Sequence, residues 1–230
     1  MSAETSQARA IEIIRNADVV SLDWDGTLVN SVSFKIAQNQ AIAREFGNDL
    51  TIDEVRRIWN DSKGFPELMQ RLTKSDDMDA IMEVVMRDYD NPEYAKQPFP
   101  FAEGFLKTLR ELGKRTVLIT NATREILNAD AQMVGLMPLG QYFDHIQTAE
   151  ESTHKKPDPR VFDPSLEALG VEAHQVVYIG DELKDYYAAR DAGIAFIGVE
   201  TGMATAQEFI DAGAFSVSSL GDVSLSDLTR

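Results

Sequence analysis

Val19-Val-Ser-Leu-Asp-Trp-Asp-Gly-Thr-Leu-Val-Asn30, or VVSLDWDGTLVN, is the stretch whose reading decides the fold. A short apolar run leads into two carboxylates, Asp23 and Asp25, and is bounded by a glycine turn at Gly26. A buried parallel strand presents its C-terminal end in this way, and that edge is where open α/β sheets bind ligands. Residues two apart in an extended segment point the same way. If strand geometry continues through Asp25, both carboxylates therefore address one site. Two such anions repel unless a cation lies between them or one holds a proton. The stretch predicts a metal, an acid/base pair, or both.

Upstream, residues 1–17 read as a polar lead-in with a short helical or irregular segment up to Asn16 and no visible chemistry. Downstream, the pattern turns helical until about Pro98. Phe34, Ala37, Ala41 and Ile42 mark one face of a helix that Gly47 can close. Thr51 with Glu54 spells a capping box, followed by Ile52, Val55 and Trp59 at helical spacing. Asp61 to Gly64 breaks that helix, and Phe65-Pro66 starts another carrying Leu68, Met69 and Leu72. A further helix holds Ile81, Met82, Val85, Met86 and Tyr89 and stops at Asn91-Pro92.

Beyond Pro98 and Pro100, helices alternate with short apolar strands at Arg115–Thr120, Phe143–Thr148, Val176–Ile179 and Ala195–Val199. With the opening strand this makes five. Such alternation predicts right-handed crossovers and a parallel sheet covered by helices on both faces. The expected division is a core of residues 1–30 and 99–230 interrupted by a small all-helical insertion, 31–98.

The 230 residues include 38 acidic and 22 basic ones, for a formal charge of -16. That balance argues against nucleic acid and anionic membranes as partners, since both are polyanions. An anionic substrate would have to be attracted locally. Cysteine is absent, which removes disulfides and thiol catalysis. The first residues contain no apolar core of signal-peptide kind, and no run approaches a membrane span. The default expectation is a cytoplasmic protein.

Strand ends and the loops after them supply four polar clusters: Asp23 with Asp25, Thr120 with Asn121, Lys156 before Pro157, and Asp181 with Asp185. In a parallel sheet the strand C-termini share one edge, so these clusters can share a pocket. Four carboxylates, a hydroxyl and an ammonium suit a hard divalent cation with oxygen ligands. Mg²⁺ takes only one or two carboxylates plus water and substrate phosphate, which leaves the others for covalent and proton-transfer work.

The four clusters, in this order, resemble the motifs of the haloacid dehalogenase superfamily, most of whose members are phosphatases. Asp23-Trp24-Asp25-Gly26-Thr27-Leu28 is similar to its first motif, and Thr120 to the serine or threonine of its second. Lys156-Pro157-Asp158-Pro159 matches the third, and Gly180-Asp181 with Asp185 the fourth. The helical insertion resembles the cap found after the first strand. The resemblance implies a Rossmann-like doubly wound core and a Mg²⁺-dependent phosphatase acting on a small-molecule phosphomonoester, as a monomer or homodimer. Within the superfamily, the chain is most similar to phosphoglycolate phosphatases.

Residue by residue, Asp23 would be the nucleophile that forms an aspartyl phosphate, and Asp25 the general acid and base. Thr120, Asn121 and Lys156 would bind the phosphoryl oxygens. Asp23, the Asp25 carbonyl, Asp181 and Asp185 would hold or surround the metal. Lys63 or Phe65, at the break between cap helices, would contact the leaving group. Two positions depart from the usual pattern: Asn30 replaces an aspartate before Ser31, and Glu182 replaces a serine or threonine after Gly180-Asp181. A phosphomutase of the β-phosphoglucomutase type shares every core motif. From another class, a phospho-accepting signalling domain or a non-catalytic binding module is the competing reading.

Overall fold

A computed structural model describes residues 3–87 and 96–223, with side chains from residue 5 onward. Tyr89 and the helix stop at Asn91-Pro92 lie outside the described residues. Contacts divide the chain into two compact units, residues 1–30 with 97–230 and residues 31–96. Gln97 and Pro98, expected in the insertion, belong to the first unit because they form a strand that pairs there.

The first unit is a six-stranded sheet with helices on both faces. Its strands are β1 (Val19–Leu22), β4 (Arg115–Ile119), β5 (His145–Gln147), β6 (Val176–Gly180), β7 (Ala195–Val199) and β8 (Ser216–Val217). Their order is β5-β4-β1-β6-β7-β8, and every pair is parallel. The chain steps from β1 outward through β4 and β5, then returns to β6 on the other side. This reversal places a crevice at the C-terminal ends of the central strands. Leu22 stands opposite both Leu118 and Ile179, so β1, β4 and β6 end nearly level.

Alternation along the strands builds a core on each face. Val20 and Leu22 join Ile14 of α1 (Ala3–Asn16), Phe105 and Leu109 of α6 (Ala102–Glu111), and Leu127 of α7 (Arg124–Met133). Val19, Val117 and Tyr178 join Phe162, Ala188 of α9 (Leu183–Asp191) and Phe209 of α10 (Ala206–Ala212). Between the loop after β5 and β6 lies α8 (Asp163–Leu169).

Two strand pairings in this unit were not expected from the sequence. A sixth strand, β8, extends the sheet beyond β7; its two residues are too few for a periodicity signal, and pairing with Gly198 and Val199 defines it. A small antiparallel pair, β2 (Val29–Asn30) with β3 (Gln97–Pro98), ties the two ends of the first unit together where the chain leaves and returns.

The second unit contains α2 (Val32–Glu45), α3 (Ile52–Asp61), α4 (Phe65–Thr73) and α5 (Met78–Arg87). The capping box forms as spelled: Thr51 N–H donates to Glu54 Oε2 at 2.8 Å, and Glu54 N–H to Thr51 Oγ1 at 3.3 Å. The face of α2 is shifted from the one read off the sequence. Val32, Ile36, Asn39, Ile42 and Ala43 are buried, whereas Ala37 is exposed. Three helices pack on α2, and their placement rather than the residues' spacing selects the stripe.

Candidate functional site

The level ends of β1 and β6 bring Asp23 and Asp181 to one edge. Asp23 N–H donates to the Ile179 carbonyl at 2.9 Å, extending the ladder one step past the strand. Asp181 follows Gly180 directly, and Asp185 lies in the first turn of α9, where its Oδ2 accepts the Glu182 N–H at 3.0 Å. One carboxylate oxygen from each of Asp23, Asp181 and Asp185 lies within 4.8 Å of the others, and all three residues are buried.

Lys156 reaches this triad from the loop before α8. Its Nζ stands 2.8 Å from Asp23 Oδ1, 2.7 Å from Asp185 Oδ1 and 2.8 Å from the Tyr178 hydroxyl. The contacts to Asp23 and Tyr178 are hydrogen bonds, whereas Asp185 faces the ammonium as an ion pair. The Tyr178 hydroxyl in turn donates to the Ile119 carbonyl at 3.3 Å. Its ring is buried against the edge of Phe162, with centroids 5.0 Å apart. Tyr178 was not singled out by the sequence. In VVYIGD it reads as an ordinary strand aromatic, and only the register of β6 beside β1 turns it toward the lysine.

Burial sets the electrostatics. It pushes the Asp23 carboxyl up to about 6, opposed by the Lys156 charge and reinforced by Asp185; Asp25 contributes least. Burial also pushes the Asp181 carboxyl well above the usual range, and the charges of Glu182, Asp185 and Asp23 add to it. At Lys156 burial works against the charge, but Asp185 and Asp23 outweigh it and hold the ammonium well above its ordinary value. Glu182 itself pairs with Lys184 at 2.6 Å, which offsets the extra negative charge at this unusual position.

The donor set fits a divalent cation. Three buried carboxylates meet one ammonium, which leaves two negative charges to be balanced when all are ionised. Asp181 Oδ1 is buried without a hydrogen-bond partner among the described residues, a costly state for a charged oxygen. All the donors are oxygens, as hard cations require.

The remaining candidates are placed less directly. Strand geometry stops at Leu22 and does not carry through to Asp25, which bridges to Val29 across the turn made by Gly26 at φ 72°. The Asp25 side chain is therefore not part of the triad, because the turn breaks the two-residue alternation. Thr120 and Asn121 follow β4, next to β1. Thr120 N–H donates to the Gln147 carbonyl at 3.0 Å, and its hydroxyl accepts the Ala122 N–H at 3.1 Å. Among the described residues, neither hydrogen-bonds to Asp23, Lys156, Asp181 or Asp185. Lys63 and Phe65 are both exposed on the connection between α3 and α4 of the helical unit, and Lys63 N–H donates to Glu67 Oε2 at 3.1 Å.

Comparison with known proteins bears on this arrangement. Residues 20–199 match the haloacid dehalogenase-like hydrolase family. The chain is 32% identical over 199 residues to a phosphoglycolate phosphatase of Neisseria gonorrhoeae, covering 82% of each protein. It is 30% identical over 193 residues to a phosphoglycolate phosphatase of Pseudomonas savastanoi pv. phaseolicola, covering 80% of this chain and 70% of the relative. Among solved structures, a haloacid dehalogenase-like hydrolase of Bacteroides fragilis superposes with a TM-score of 0.74 at 28% identity, over 90% of this chain and all of that one. Among the described residues, no helix is long and apolar enough to cross a membrane.

Proposed function

This chain belongs to the haloacid dehalogenase-like hydrolases, and from that premise we propose that it is a Mg²⁺-dependent phosphatase of small phosphomonoesters that works through a covalent intermediate on Asp23. The observation that carries the reading is the joint contact of Lys156 with Asp23 and Asp185, at 2.8 and 2.7 Å, beside Asp181 at the switch point of the sheet.

Asp23 is the nucleophile. With Oδ1 held by Lys156, Oδ2 attacks phosphorus, and the bond from phosphorus to the leaving oxygen breaks. Asp25 gives the leaving oxygen its proton and then takes one from the water that attacks the aspartyl phosphate, freeing inorganic phosphate and restoring Asp23. Thr120, the Asn121 amide and Lys156 steady the phosphoryl oxygens. Among the described residues, Lys156 is the buried cation that an otherwise acidic protein offers an anionic substrate. Asp23, the Asp25 carbonyl, Asp181 and Asp185 are the groups that hold or surround the ion. Mg²⁺, when bound, supplies charge neutralisation for the phosphoryl group.

The names of the relatives favour 2-phosphoglycolate as the substrate, with Lys63 and Phe65 as candidates for recognising the leaving group. Lys63→Ala is expected to alter the ranking of substrates; an unchanged ranking would remove Lys63 from the proposal.

The whole reading is tested by phosphate release from a panel of phosphomonoesters that includes 2-phosphoglycolate, with Mg²⁺ and with EDTA. Mg²⁺-dependent release, with 2-phosphoglycolate among the cleaved esters, is the expected result. No release from any ester, or transfer to a second sugar hydroxyl instead of water, would overturn it.

A further inference from the structure

The loop after β7, Glu200 to Ala204, carries none of the four sequence clusters, yet it grips Asp181. Met203 N–H donates to Asp181 Oδ2 at 3.0 Å, and Ala204 N–H donates to the Asp181 carbonyl at 3.0 Å. Gly202 lies so close that a Cβ added there would stand 1.8 Å from Asp181 Oδ2, 2.1 Å from its Cβ and 2.2 Å from its Cγ. Gly26, in the turn after β1, crowds the same oxygen: a Cβ there would stand 2.3 Å from Oδ2 and 3.1 Å from the Gly202 Cα. Thr201 links the two segments, its hydroxyl donating to the Gly26 carbonyl at 2.7 Å. Real Cβ atoms essentially never approach a heavy atom within 3.0 Å. No residue but glycine therefore lets this loop lie where it does.

The consequence for Asp181 is that its two oxygens differ. Oδ2 is committed to a backbone amide and walled in by two glycines, whereas Oδ1 is buried and has no hydrogen-bond partner among the described residues. We propose that Gly202 and Met203 are positioning residues that lock the Asp181 carboxylate in one orientation, so that Oδ1 is the oxygen presented to the divalent cation with Asp23 and Asp185. This rests on the metal reading above and adds to it the part that aims one ligand. A ligand held in place before the ion arrives loses no freedom on binding, which is why residues supporting a metal ligand influence affinity without touching the metal.

Two measurements test the inference. The first is Mg²⁺ binding to the full chain, followed by calorimetric titration and by the Mg²⁺-induced rise in Tm. Gly202→Ala is expected to weaken Mg²⁺ binding about 10- to 100-fold, the range for groups that support a metal ligand. Wild-type affinity in Gly202→Ala would overturn the proposal. If the wild-type chain bound no Mg²⁺, the metal reading would fall and this inference with it, and the wild-type curve would show which had failed.

The second is a double-mutant cycle in stability that needs no metal. Gly202→Ala is expected to lower Tm when Asp181 is present and to leave it nearly unchanged in an Asp181→Gly background, where every contacted side-chain atom is gone. An equal loss in both backgrounds, including failure of the double variant to fold where Asp181→Gly folds, would show that Gly202 does not act through Asp181.

Discussion

In the helical unit, paired charges meet in water: Arg44 with Asp49 at 2.9 Å, Arg71 with Asp61 at 3.4 Å and Arg87 with Glu45 at 3.1 Å, each side chain at least 36% exposed. At the strand ends of the sheet unit, Lys156 meets Asp23 and Asp185 at comparable distances, but the three side chains are 2%, 8% and 1% exposed. The difference is one of solvent. An exposed pair gains little because water already satisfies both ions. A buried cluster carries a desolvation penalty that apolar residues of similar volume would avoid, so it is weak as a device for stability. Its presence beneath a topological switch point makes sense as a device for chemistry.

The contrast can be broken most sharply at Asp23. Asp23→Asn keeps an acceptor for Lys156, so Tm should change little, but the nucleophile is gone. Phosphatase activity should fall by at least about a thousandfold, as for other single nucleophile deletions. A variant turning over at the parental rate would remove Asp23 from the mechanism.

Lys156→Met comes next, because it leaves three buried carboxylates without their ammonium. Chemical denaturation in EDTA should show a loss of about 3–5 kcal/mol, the range for breaking a buried pair from one side. The loss should shrink when Mg²⁺ is added.

Tyr178→Phe removes one hydroxyl and keeps the ring packed on Phe162. With one Lys156 donor left unmatched, about 1–3 kcal/mol of stability should go. A full return of stability in a Tyr178→Phe/Lys156→Met pair, relative to Lys156→Met alone, would confirm that the hydroxyl acts through the lysine.

The smallest effect belongs to the helical unit. Arg71→Ala should shift Tm by no more than about 2 °C and leave phosphate release unchanged, as expected for an exposed pair in a domain of this size. A larger shift would mean that the surface pairs do more than their exposure implies.

How far the sequence could be read depended on whether a feature was local. The apolar run before Asp23, the capping box at Thr51 and Glu54, and the glycines that end helices are all written within a few residues. The capping box at Thr205 and Glu208 is equally local. Alternation of strand and helix was enough to predict a parallel sheet, since connections of this kind have few solutions. The burial stripe of α2 and the two-residue strand β8 were not legible, because partners distant in the chain decide both; Asp25 leaves strand geometry at the local turn of Gly26, where it bridges to Val29.

The four clusters and their order were determined by the sequence alone, and so was the chemistry their side chains can perform. Only the tertiary structure decided that Tyr178 accepts a hydrogen bond from Lys156 and that Gly26, Gly202 and Met203 close around Asp181. The physical reason is that composition and periodicity report the preferences of neighbours in the chain, whereas a hydrogen-bond direction or a sub-3 Å approach arises only when separate strands reach their register.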